Sequence, residues 1–81
     1  MIENELRVYS KPGCVQCNAT YRALDAKNIP YKIVDISEDE AALEYVKELG
    51  YIQAPVVVVD DEDHWSGFRP GHIERVAAHL V

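Results

Sequence analysis

Leu6-Arg7-Val8-Tyr9-Ser10-Lys11-Pro12-Gly13-Cys14-Val15-Gln16-Cys17 holds the only two cysteines of the chain, set between a strand-like run and a helix-like one. Leu6 to Ser10 reads as a short strand and Lys11-Pro12-Gly13 as a turn. Asn18 to Lys27 is rich in alanine and straight-chain residues, so the cysteines open a helix. The first turn of a helix has unpaired backbone N–H groups and the positive end of the macrodipole, and both favour an anion. A thiolate there is stabilised over its thiol and becomes a nucleophile near neutral pH. Cys17 stands close to one turn further on, so its sulfur can reach that of Cys14. Two thiols that close a small ring within the chain make a reversible electron carrier.

Outward from this segment, the first helix is expected from Cys14 to Lys27. Cys17, Thr20, Tyr21 and Leu24 share one face, which turns Cys17 inward and leaves Cys14 at the exposed tip. Asn28 suits a left-handed terminator and Pro30 prevents continuation. Tyr31 to Ile36 reads as a second strand. Ser37-Glu38-Asp39-Glu40 matches a capping box with Ser37 as the cap, followed by a helix with Ala42, Tyr45, Val46 and Leu49 on its buried stripe and Gly50 at its stop. Val56 to Val59 has the pattern of a central strand buried on both faces. The turn Asp60 to Asp63 leads to a short strand at His64-Trp65-Ser66, forming a hairpin. Gly67 to Gly71 reads as a loop, and a last helix carries Ile73, Val76, Ala77 and Leu80 on one face. The order is β-α-β-α-β-β-α. A crossover makes the first two strands parallel and the hairpin adds antiparallel partners, giving an α/β fold with a four-stranded mixed sheet flanked by three helices.

With 81 residues, the chain is expected to form one domain over 1–81, and its 48% hydrophobic composition argues against disorder. No apolar stretch approaches the roughly 20 residues of a membrane span. Met1-Ile2-Glu3-Asn4-Glu5 lacks the pattern of a signal peptide, so the expected location is cytoplasmic. The formal charge of −6 argues against nucleic-acid and anionic-membrane partners. Glu38-Asp39-Glu40 and Asp60-Asp61-Glu62-Asp63 read as solvated ends of elements. In a reducing compartment, two cysteines at this spacing serve catalysis or metal binding rather than structure. A metal site usually takes four ligands, and only His64, His72 and His79 are candidates for the second pair. His72 and His79 lie along one edge of the last helix, where a solvent-facing position is the ordinary expectation, so no metal is expected.

A strand, a C-x-x-C at a helix start and a β-α-β unit suggest the thioredoxin fold. From Arg7 to Leu80 the chain resembles the NrdH-redoxins, a small glutaredoxin-like branch. Three segments carry the resemblance: Tyr9 to Thr20 around the cysteines, Gln53-Ala54-Pro55-Val56-Val57, and Trp65-Ser66-Gly67-Phe68-Arg69-Pro70. The resemblance implies a monomeric electron donor to the large subunit of class Ib ribonucleotide reductase, itself reduced by thioredoxin reductase and needing no cofactor beyond its own disulfide. One position departs from the family: Gly71 stands where an acidic residue is common. An acid there would complement the dipole of the last helix by roughly 0.3–1 kcal/mol, so its loss bears on the local loop geometry and not on the redox chemistry.

Cys14 is the expected nucleophile, attacking a partner disulfide to give a mixed disulfide that Cys17 resolves. Lys11 either adds positive potential near the thiolate or is an ordinary exposed lysine. Val15 and Gln16 form the rim of the motif. The resemblance implies a cis Ala54–Pro55 bond beside the cysteines, which leaves the Ala54 backbone to pair with an extended substrate segment. Trp65 and Phe68 are more often core than interface. Ser66-Gly67-Phe68-Arg69 nevertheless occupies the loop where glutaredoxins hold glutathione, and Arg69 with Phe68 is expected to pin it by hydrogen bonding and stacking. Two other readings compete: a glutathione-dependent glutaredoxin, and a metal-binding interaction module using Cys14 and Cys17 as ligands. Glutaredoxins typically carry Thr-Val-Pro and Gly-Gly-x-x-Asp segments, for which this chain has Gln53-Ala54-Pro55 and Ser66-Gly67-Phe68-Arg69.

Overall fold

The computed structural model describes residues 6–60 and 62–80, and orders them as β1 (Leu6–Ser10), α1 (Val15–Ala26), β2 (Tyr31–Asp35), α2 (Glu40–Glu48), β3 (Val56–Asp60), β4 (Asp63–Ser66) and α3 (Pro70–Leu80). The sheet order is β2-β1-β3-β4. β1 and β2 run parallel, with Leu6 opposite Tyr31 and Ser10 opposite Asp35, as a helical crossover requires. β1 runs antiparallel to β3, with Val8 opposite Val57, and β3 runs antiparallel to β4, with Val57 opposite Trp65. The expected element order and mixed sheet are the observed ones.

Alternation along the strands splits the core in two. Leu6, Val8, Val57 and Trp65 point to one face, where Leu24 of α1, Ile29 just after it, and Ile73 and Val76 of α3 cover them. Tyr9, Val56 and Val58 point to the other, against Ala42 and Val46 of α2. Val57 and Val58 have no exposed surface, whereas Ile33 on the outer strand β2 is 51% exposed. Burial also holds the Tyr9 phenol above its ordinary pKa, against the opposing effect of nearby Arg7.

Two helices end in the same way. Asn28 has φ 58°, its N–H donates to the Asp25 carbonyl at 3.0 Å, and the Ile29 N–H donates to the Leu24 carbonyl at 3.0 Å. After α2, Gly50 has φ 96°, and Gly50 and Tyr51 donate to the carbonyls of Lys47 and Val46. Both are Schellman arrangements, which satisfy carbonyls that a helix end would otherwise leave unpaired.

Two local expectations are corrected. Ser37 does not cap α2. The Asp35 carboxylate captures both its N–H, at 2.8 Å, and its hydroxyl, at 2.6 Å, in a turn. Asp39 is the cap instead, its side chain accepting from the Ala42 N–H at 3.1 Å. The loop expected over Gly67 to Gly71 is shorter, because α3 begins at Pro70. Proline suits the first helical position, where its missing N–H would be unpaired in any case. Gly71 therefore lies in the first turn of α3. Asp61 and the side chains of His79 and Leu80 lie outside the described residues, so the expectations placed on them do too.

Val57→Asp is expected to abolish cooperative unfolding, since an unpaired buried charge costs several kcal/mol against a typical stability of roughly 5–15 kcal/mol. Ile33→Asp on the outer strand should shift the midpoint by only a few degrees. Thermal melts followed by circular dichroism check both, and a near-wild-type melt for Val57→Asp would remove β3 from the centre of the fold.

Candidate redox site

β1 delivers the chain to the turn Lys11-Pro12-Gly13, where Gly13 takes φ 71°, and the turn delivers Cys14 to the start of α1. Cys14 is the cap residue of that helix, with extended backbone (φ −95°, ψ 109°). Its Sγ accepts from the Cys17 N–H at 3.1 Å, satisfying one of the unpaired first-turn donors. The two sulfurs are at disulfide distance, with Cα atoms 5.2 Å apart. Cys14 is half-buried while Cys17 is 1% exposed, so only one sulfur faces an incoming partner. Two side-chain bonds seat this end of α1. Thr20 donates to the Gln16 carbonyl at 2.9 Å, and the Tyr21 hydroxyl donates to Ser10 Oγ at 2.7 Å.

The other two segments meet the motif through hydrogen bonds. The Ala54–Pro55 peptide is cis, as expected, and the Pro55 carbonyl accepts from the Gly67 N–H at 2.8 Å. Ser66 Oγ donates to the Gln53 carbonyl at 3.4 Å. Gln16 Oε1 accepts from the Phe68 N–H at 3.0 Å, joining residues 52 positions apart. Gly67 has φ 85°, and a Cβ there would stand 3.3 Å from Gln16 Oε1, so both backbone and space favour glycine at this point. Cys14, Gln16, Pro55, Ser66, Gly67 and Phe68 thus belong to one connected arrangement.

The expected partner-binding residues differ in exposure. Lys11 is exposed in its turn, and Val15 is 80% exposed beside Cys14. Ala54 is half-buried and Phe68 is 37% exposed. Arg69 does not pin the loop. Its carbonyl accepts from the N–H groups of His72 and Ile73, and among the described residues its side chain forms no hydrogen bond or stack. Gln16 does the pinning instead.

Trp65 is core, 4% exposed, but His72 is not the solvent-facing histidine expected. Its ring stacks on the Trp65 indole with centroids 4.8 Å apart and planes 13° apart. Arg75 grips Asp63 through two hydrogen bonds of 2.8 and 3.0 Å, which hold the Asp63 carboxyl below the usual carboxylate range. The same guanidinium reaches His72 Nδ1 at 3.3 Å. His64 is engaged elsewhere, its Nδ1 lying 2.8 Å from the Tyr51 hydroxyl. Among the described residues no three His, Cys, Asp or Glu side chains converge on a point that could hold a metal ion. The Gln16 bond and the His72 stack escaped the sequence reading, because spacing along a helix does not reveal what lies across from it.

The Glutaredoxin family model matches residues 6–65. The glutaredoxin-like protein NrdH of Escherichia coli K12 is 35% identical over 71 residues, covering 88% of this chain and 86% of the relative. The protein of the same name from Lactococcus lactis subsp. cremoris is 37% identical over 70 residues, covering 86% and 96%. The solved structure of the glutaredoxin-like protein NrdH-redoxin from Escherichia coli superposes with a TM-score of 0.83 at 33% identity, over 89% of this chain and 93% of that one.

Gln16→Ala removes the acceptor of the Phe68 N–H, a bond worth roughly 0.5–1.5 kcal/mol, so amide exchange at Phe68 should accelerate by up to about tenfold. Hydrogen exchange read by NMR checks this. Unchanged exchange at Phe68 would mean that something other than Gln16 holds the loop.

Proposed function

Because the chain belongs to the glutaredoxin family and, within it, to the NrdH-type glutaredoxin-like proteins, we propose that it is the dithiol electron donor of a class Ib ribonucleotide reductase, docking on the large subunit and reduced in turn by thioredoxin reductase. The family is one of thiol-disulfide oxidoreductases that work through a cysteine disulfide with no cofactor. In the proposed cycle the Cys14 thiolate attacks one sulfur of the partner disulfide, forming a mixed disulfide and releasing the other sulfur as a thiolate. Cys17, as thiolate, then attacks Cys14 Sγ, closing the internal disulfide and releasing the second partner thiol. Two electrons leave this protein and two protons complete the partner thiols. Thioredoxin reductase runs the same exchange in reverse. Residues 1–81 act as one monomeric unit in this reading, in the cytoplasm. No helix among the described residues is long and apolar enough to cross a membrane.

The observation that carries the choice of electron source is the occupied loop. The N–H of Gly67 is taken by Pro55 and that of Phe68 by Gln16. A small charged tripeptide needs several aimed polar contacts, and these two backbone donors are already in use. A protein partner has other means: strand pairing at Ala54, and apolar contact with exposed Val15 and Phe68. The Escherichia coli relative is described as having a thioredoxin-like activity profile, which agrees with this reading. Lys11, Ser66 and Arg69 complete the proposed partner surface around the Trp65 end of β4.

Cys17→Ser is expected to accumulate a stable mixed disulfide with a partner, and Cys14→Ser to accumulate none. Brief alkylation at neutral pH of the reduced protein, followed by peptide mass analysis, should label Cys14 first, and labelling of Cys17 first would reverse the two roles.

NADPH oxidation coupled to a disulfide substrate should run with thioredoxin reductase and slow tenfold or more with glutathione plus its reductase. Two or three missing polar contacts at roughly 0.5–1.5 kcal/mol each account for that ratio. Equal rates with both electron sources would replace the proposal with a glutathione-dependent glutaredoxin.

A further inference from the structure

We infer that His72 is a positioning residue for the Ser66–Arg69 loop, acting through the face of Trp65; the inference rests on the reading of that loop as part of the partner surface. Trp65 immediately precedes the loop and His72 follows it in the first turn of α3. Seven residues of extended chain reach up to about 25 Å. Here the rings at the two ends of that span lie face to face, centroids 4.8 Å apart. The stack closes the loop at its base.

The backbone of Trp65 is held in β4 opposite Val57, but no side-chain hydrogen bond orients its ring, because the indole Nε1 is buried with no partner among the described residues. The orientation of the ring is set by packing in the core, and the aromatic ring stacked on it is that of His72. That ring is held in turn. Arg75 Nη2 lies 3.3 Å from His72 Nδ1, and the same guanidinium is anchored on Asp63 at the start of β4. Arg75 also lies 6.0 Å from the centre of the Trp65 ring. Asp63, Arg75, His72 and Trp65 form a continuous connection from the first residue of β4, through α3, back to the residue that launches the loop.

The stack and the Gln16 bond have different tasks. Gln16 and Pro55 fix where the middle of the loop directs its amides, while the stack adds to the core packing that joins its two ends. A loop ordered beforehand loses less freedom when a protein docks on it. Loosening its base therefore weakens partner binding and leaves the exchange between Cys14 and Cys17 as it was. The effect belongs in KM and not in kcat.

The test compares full-length wild type, His72→Ala and His72→Phe, since phenylalanine restores a flat ring without the Nδ1 nitrogen. Thioredoxin reductase turnover is measured against increasing concentration of each protein. Trp65 is the only tryptophan, so intrinsic fluorescence reads the stack directly. His72→Ala should raise KM roughly threefold to tenfold, the range of one aromatic pair, with kcat within about twofold of wild type. Trp65 emission should move to the red and become more open to acrylamide quenching, and His72→Phe should restore both. A changed Trp65 signal with wild-type KM in His72→Ala would make the stack structural only and overturn the inference, as would failure of His72→Phe to restore KM. Should wild type take no electrons from the flavoprotein, the functional reading fails separately. Amide exchange at Gly67 and Phe68 then decides the positioning role without a partner: faster in His72→Ala but not in His72→Phe supports it, and unchanged exchange overturns it.

Discussion

The antiparallel pairing of β1 with β3, Val8 against Val57 and Tyr9 against Val56, is the constraint on which the rest of the molecule depends. Antiparallel neighbours bring the end of one strand to the start of the other. The exit of β1, which leads to Cys14, therefore lies at the same edge of the sheet as Pro55, which leads into β3. β4 is antiparallel to β3, so its exit at Ser66 returns to that edge too. Three segments far apart in sequence arrive together because of strand direction alone. The pairing is secured by burial on both faces, since Val57 packs under α1 and α3 while Val56 and Val58 pack under α2. A fully buried valine contributes roughly 1.5–3 kcal/mol, so three adjacent ones represent a large share of the net stability of a small domain.

On that frame the chemistry comes from an ordinary helix start with an unusual cap. Asp39 caps α2 by accepting from the N–H three residues on, at 3.1 Å. Cys14 caps α1 in the same way, its sulfur accepting from the Cys17 N–H at 3.1 Å. The sulfur therefore occupies a place that elsewhere in this molecule holds a carboxylate, where unpaired donors and the helix dipole stabilise negative charge. The donor of that bond is the backbone of the second cysteine. The two residues of the redox pair are thus also neighbours through a hydrogen bond.

Periodicity made most of the fold legible. The run of valines in β3 and the stripe Cys17, Thr20, Leu24 each report burial on a regular element, and burial is what a hydrophobic pattern encodes. The misplaced boundaries arose where several residues competed for the same backbone groups. Ser37 and Asp39 both have side chains fit to cap α2, and the choice was decided by Asp35, which took the Ser37 donors into a turn. Pro70 looked like part of a glycine- and proline-rich loop, although proline also opens helices. In the site, Cys14 and Cys17 were legible from the residues themselves, and the Pro55 and Trp65–Arg69 segments through a family resemblance. Gln16 and His72 were read by their own helices, as a rim residue and a solvent-facing edge. What engages each is set by tertiary approach: a backbone amide 52 residues away for Gln16, and an indole face across the loop for His72.

Thiol-disulfide exchange is the same reaction with any accessible disulfide, so selectivity has to come from what surrounds Cys14. The formal charge of −6 acts on anions only within about a Debye length, roughly 8 Å at physiological salt, and does not distinguish one anion from another. Short-range contacts must decide. A carboxylate approaching Gly67 or Phe68 would have to displace the Pro55 carbonyl or the Gln16 amide, exchanging one hydrogen bond for another at little net gain. An apolar surface approaching the same place displaces only water from Val15 and Phe68, and gains roughly 25 cal/mol for each Å² it covers. Under the proposed function, the internal bonds that order the loop would also bias what it receives, toward partners that bring apolar area and away from small ligands that bring charge.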